Sequence, residues 1–173
     1  MFKTTGLALT FSVGLLSTAF AGDQYVDGTG FSVSGYDVTS YFGLVQSTVG
    51  EAEASPLPGR SSIIAEDNGA VFAFATKANR DRFLANPKAF VPQHDGHCAH
   101  GVATGGKVPG NATLWRIVDD KLYLNITKSV VGVCEKDIPG NLVKPESNWS
   151  GIEEAAASTD VIQSFHPSAP VAN

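Results

Sequence analysis

Residues 63 to 75 read Ile63-Ile64-Ala65-Glu66-Asp67-Asn68-Gly69-Ala70-Val71-Phe72-Ala73-Phe74-Ala75, and this stretch decides the fold class. Two apolar runs flank Asn68-Gly69, the residue pair that enters left-handed backbone most cheaply, so the stretch reads as a β-hairpin. Thr76 then stands as the N-cap of a helix through Asn79 and Leu84, and Asn86 with Pro87 at a first helical position restarts a short helix toward Phe90. Downstream, residues 115–118 and 121–124 bracket Asp119-Asp120 as a second hairpin, and residues 129–137 read as helix until Pro139-Gly140 stops it. Upstream, a short strand near residues 31–33 precedes a helical turn opened by Asp37. The expectation is an α+β fold: a small single domain of β-hairpins and several short helices, with Phe72, Phe74, Phe83, Phe90, Trp115 and Tyr123 in or near the core.

The chain of 173 residues opens with Met1-Phe2-Lys3, a mostly apolar run and Ala19-Phe20-Ala21. That is the pattern of a secretory signal peptide over residues 1–21, and its apolar run is too short for a membrane span of about 20 residues. The expected mature protein starts at Gly22, is periplasmic or secreted, and has no membrane association. Residues 22–150 suit one domain. Residues 47–62, rich in Ser, Pro, Gly and Glu, read as a surface loop, and residues 151–173 as a loosely held tail. No repeat shows at periods of about 20 to 50 residues. Seventeen acidic against twelve basic side chains argue against a nucleic-acid partner, which would want a basic stripe.

Residues 94 to 100 read His94-Asp95-Gly96-His97-Cys98-Ala99-His100, holding three of the four histidines and one of the two cysteines. Neutral imidazole and thiolate are the commonest ligands for zinc and copper, so His94, His97, Cys98 and His100 are the candidate ligands of a transition metal. If residues 94–101 are helical, His94, His97 and Cys98 share an arc of about 100°, with His100 about 60° beyond it. Taken singly, each histidine reads as a hydrogen-bonded ring and Cys98 as a small buried hydrophobe. Export also makes Cys98 and Cys134 disulfide candidates. Free thiols favour Cu(I), whereas a disulfide leaves a histidine-only site for Zn(II) or Cu(II). A thiol-dependent enzyme would need Cys98 activated by a neighbouring histidine oriented by Asp95, but no oxyanion-hole motif accompanies the pair.

The succession Gly35-Tyr36-Asp37, Tyr41-Phe42, Asn79-Arg80, Phe83-Leu84, Pro87 and Glu135-Lys136-Asp137-Ile138-Pro139-Gly140 resembles the periplasmic branch of the YHS-domain family, over residues 31–149. The resemblance implies a small ββα metal-binding module of the kind fused to copper-pumping ATPases, in which cysteines serve as ligands. Here the positions of those cysteines hold Ser34, Ala75 and Asn79, which bind soft metals poorly or not at all. Where that branch usually shows tyrosines around a Gly-Tyr-Cys-Ala-Tyr-Gly core, this chain has His94, His97 and His100, and Cys134 stands where the family more often carries Trp. Two functions follow as expectations. One is transition-metal binding through the histidine and cysteine cluster. The other is a scaffold or partner-binding domain that keeps the fold without a metal.

Overall fold

The computed structural model describes residues 22–48, 51 and 53–159; the expected signal peptide and the end of the expected tail lie outside the described residues. The fold is α+β. Strands β1 (Arg60–Asp67) and β2 (Ala70–Phe74) form one antiparallel hairpin, and β3 (Asn111–Val118) and β4 (Lys121–Asn125) form another. Four α-helices accompany them among the described residues: α1 (Lys77–Ala85), α2 (Ala99–Ala103), α3 (Lys128–Cys134) and α4 (Ile138–Ile152).

Local chemistry makes each hairpin and the helix behind it. Both two-residue turns run through left-handed backbone, at Asn68 (φ 44°) and Gly69 (φ 74°) in the first and at Asp119 (φ 50°) and Asp120 (φ 58°) in the second. The hand of such turns matches the right-handed twist of the strands they join. A threonine caps each following helix: the Asn79 N–H donates to Thr76 Oγ1 at 3.1 Å and the Val130 N–H to Thr127 Oγ1 at 3.3 Å. Each cap satisfies a donor that the first helical turn leaves unpaired, at about 1 kcal/mol.

These parallels run through the strands as well as the turns and caps. Adding 51 to each position carries β1 onto β3, β2 onto β4, Thr76 onto Thr127 and the start of α1 onto that of α3. The strand registers match as well. Arg60 pairs with Phe74 and Ile64 with Ala73, across an irregularity; Asn111 pairs with Asn125 and Trp115 with Leu124, across another.

Upstream of each hairpin lies the same left-handed corner. Val33, Ser34 and Gly35 have φ of 53°, 53° and 77°; His94, Asp95 and Gly96 have 56°, 51° and 78°. Tyr36 then bridges Pro58 as His97 bridges Pro109, and Asp37 N–H reaches Leu57 O at 2.8 Å as Cys98 N–H reaches Val108 O at 2.9 Å. The protein is therefore built from one corner-hairpin-helix unit used twice. Its offsets, 51 residues for the hairpins and 61 for the corners, lie beyond the periods of about 20 to 50 residues at which no repeat was expected. The connection runs from Asp37 to Leu57 in the first unit and only from Cys98 to Val108 in the second, so no single period covers both halves of a unit.

Two other expectations change. In place of a strand at 31–33, Ser32 makes an isolated bridge to Val26 and Val33 enters the left-handed corner. Pro139-Gly140 does not stop a helix; it starts α4, which runs past residue 150. Proline at the first helical turn gives up an N–H that would be unpaired anyway, and Asp137 caps the new helix by accepting from Gly140 N–H at 3.1 Å.

The core joins the units. Tyr41, in the turn Ser40–Gly43 of the first, is fully buried, meets Trp115 of β3 edge-on at 5.4 Å and donates its hydroxyl to Ala112 O at 2.8 Å. Around them pack Val38, Phe72, Phe74, Phe83, Leu122 and Leu124. Helix α4 lies against α2 of the second unit.

Candidate functional site

The histidine cluster does not form the helix that would have put its ligands on one face. His94 sits in the left-handed corner, His97 and Cys98 are extended, and α2 begins only at Ala99. The four candidate ligands therefore do different things. His97 is fully buried: its Nδ1–H donates to His94 O at 2.9 Å and its Nε2 accepts the Ser158 N–H at 3.2 Å, so its partners fix the neutral tautomer and occupy both ring nitrogens. The His94 ring lies 5.8 Å from that of Tyr123 and 5.4 Å from that of Trp149, and its Nδ1 has no protein partner. His100 is half-buried, again with an Nδ1 that no protein group meets.

Burial lowers both His94 and His97 to about 4, against the opposing pull of Glu146 on the first and of the His94 carbonyl on the second. The two rings are thus neutral packing groups under α4, joined there by Trp149, whose ring is also 6.3 Å from that of His97. Lys107 fastens the far end, lying 4.9 Å over Trp149 and donating to Glu153 O and Ala155 O at 2.6 Å each, where the helix carbonyls run out of partners. Among the described residues, no three His, Cys, Asp or Glu side chains are arranged to hold one metal ion. The residues of the cluster do not fit a shared centre as they stand.

Cys98 turns away from the histidines. Both cysteines are free and buried, so the candidate disulfide is not formed. Their thiols donate toward one acceptor, Asn125 Oδ1, from 3.8 Å for Cys98 and 3.3 Å for Cys134. Burial raises the Cys98 thiol, while the backbone N–H groups of Gly101, Ile126 and His100 pull it down. Cys134 is pushed up to about 11 by burial, then by Cys98 and Glu135. Neither thiol ionises on its own near neutral pH, which is the wrong poise for the nucleophile that a thiol enzyme needs. Asp95, the proposed orienting acid, is raised to about 6 chiefly by burial, and its Oδ2 is buried without a partner.

Two polar clusters were not read from the sequence. At the first, Asp37 is fully buried and accepts four hydrogen bonds: from Thr39 N–H (3.0 Å) and Oγ1–H (2.7 Å), from Ala75 N–H (2.9 Å) and from Asn79 Nδ2 (2.6 Å). Its side chain closes a turn, as expected of a capping residue, but its second oxygen ties down the start of α1. Ala75 and Asn79 both donate to it.

At the second, Arg116 of β3 pairs with Glu53 at 2.6 Å and Glu135 at 2.5 Å and donates to Ser47 O at 2.8 Å. Gln46 joins it by exchanging two side-chain hydrogen bonds with Ile117, at 2.7 and 3.0 Å, and Trp115 Nε1 donates to Ala54 O at 3.0 Å. The described part of the expected surface loop is thereby strapped across β3. Between the strap and α3 opens a cleft of about 370 Å3. Its apolar side is Leu114, Trp115, Val131 and Gly132, and its charged side Glu51, Glu53, Glu135 and Lys128. The only signal for it in the sequence was a tryptophan followed by an arginine in a strand otherwise apolar at that end.

No family model, no curated protein and no solved structure matches this chain.

Proposed function

We propose that this chain is an exported ligand-binding domain of the YHS type, whose site is the cleft between the strap and α3, and whose ligand is a small molecule with an apolar body and one positive charge. The cleft is the observation that carries this reading. Its volume, its apolar floor and a few convergent polar groups are the ordinary makings of a small-molecule site. Three carboxylates, Glu51, Glu53 and Glu135, stand against two cations, Lys128 and the Arg116 that lies behind the wall, leaving one negative charge in excess. The buried ion triad holds the strap in place before any ligand arrives, so little ordering cost remains for binding.

The chain has two tryptophans, and Trp149 is not among the residues lining the cleft, so Trp149→Phe leaves Trp115 as the sole reporter. Titrating this variant with apolar primary amines and with the matching carboxylic acids should give a saturable change in Trp115 emission for amines only. Gly132→Phe fills the cleft from a position where an added Cβ meets nothing within 4 Å, and should abolish that change while the protein stays folded. Equal response to acids, or binding that survives Gly132→Phe, rejects the site.

A further inference from the structure

The two-unit construction shows what is unusual about the second unit's interior. In the first unit the node at Asp37 holds a carboxylate, and beside it the rings of Phe74 and Phe83 are 5.1 Å apart. The equivalent positions in the second unit are Cys98, Asn125 and Cys134, and there an aromatic contact is replaced by two thiols converging on one amide oxygen. Because both sulfurs touch Asn125 Oδ1, they are separated by no more than the sum of those two contacts. Three elements supply the group: the N-cap of α2, the end of β4 and the end of α3. A space of about 20 Å3 adjoins Asn125 and Cys134, room for about one water-sized particle.

We propose that Cys98 and Cys134, with Asn125 beside them, form a binding site for a single Cu(I) ion. Thiolate sulfur is the donor that selects Cu(I) over the harder divalent ions. On binding, copper leaves its carrier, the two S–H bonds give their protons to solvent and two Cu–S bonds form; neither copper nor sulfur changes oxidation state. The product carries one net negative charge in a buried place. The fold already provides for such a charge: the Gly101 N–H reaches the Cys98 sulfur at 3.5 Å, as the Thr39 and Ala75 N–H groups reach the Asp37 carboxylate. The inference does not rest on the cleft, which meets the space beside the thiols only through Glu135 and its partner Arg116.

The test is anaerobic transfer of Cu(I) from a coloured bidentate chelator to the reduced, purified chain. One copper per chain should move to the protein, with the chelator colour falling in proportion. Cys98→Ser and Cys134→Ser should each weaken uptake at least a hundredfold. His94→Val with His97→Tyr, the residues of the first unit's corner, should leave it unchanged. X-ray absorption at the copper edge of the wild-type protein gives a reading that does not depend on any variant folding, and should show a sulfur-dominated shell. Uptake that persists in Cys134→Ser, loss of uptake in the double histidine variant, or a shell dominated by nitrogen each overturns the proposal.

Discussion

The first unit closes its polar centre and the second leaves its centre open, although backbone and register are the same. Around Asp37 every hydrogen bond is short and made by a protein group, and the neighbouring space is filled by Phe74 and Phe83. At the corresponding place in the second unit the contacts are long and involve sulfur, and a small space remains beside Asn125. The corners differ in the same way. Val33 and Tyr36 of the first unit are replaced by His94 and His97, two buried rings that can take up protons. The comparison teaches that one backbone can be fixed by a satisfied carboxylate in one copy while its other copy holds thiols and neutral imidazoles at the matching places.

The largest effect expected from this asymmetry is on acid stability. A histidine whose folded-state value lies near 4 takes up its proton in the unfolded chain first, as pH falls through its usual value of about 6.5. Its stability contribution is therefore intact above about 6.5 and is lost as pH falls toward 4, amounting to about 3 kcal/mol for each ring in the limit. Urea unfolding from pH 7 to 4 should show this loss in the wild-type protein and not in the His94→Val, His97→Tyr variant. The other shifted carboxylates, Asp67, Asp95 and Glu146, remain in both proteins and largely cancel in the difference. Parallel pH profiles would show that the second corner is as inert as the first.

Next in size is the cost of emptying the first node. Asp37→Ala removes the acceptor of four buried donors, and breaking a buried charged network of that kind costs about 3–5 kcal/mol. Cys98→Ala at the matching position deletes one sulfur with weaker contacts and should cost about 1–2 kcal/mol. Equal losses in urea midpoint would mean that the thiol is as firmly held as the carboxylate.

How much of this was legible in the sequence follows from which signals are local. Asn68-Gly69 and Thr76 identified their turn and cap because the chemistry that makes them lies within a few residues, and Asp119-Asp120 did so too. Pro139-Gly140 was misread because the same pair suits either end of a helix, and the deciding feature is Asp137 supplying the cap. The histidines were read as a set because they are dense in sequence. What separates them is a corner of positive φ at His94 and Asp95, which neither residue type announces. The repeat was hidden because few side chains survive between copies and the connections differ in length. Asp37 looked like a local cap, since its long-range donors at Ala75 and Asn79 become visible only when β2 and α1 are in place.

The smallest expected effect is the most demanding of the comparison. If the two nodes are one structure with different occupants, Cys98→Asp should place a carboxylate where the Gly101 N–H already points, as those of Thr39 and Ala75 point at Asp37. Rotating the Asn125 amide would present its Nδ2 to the new carboxylate, the role that Asn79 plays in the first unit. The variant should stay within about 1 kcal/mol of wild type at pH 7. Cys98→Leu, which keeps the site apolar, should fare worse, because it strands the same donor at about 1–3 kcal/mol. A leucine variant more stable than the aspartate one would mean that Cys98 sits in an apolar socket, and that the second node resembles the first in backbone only.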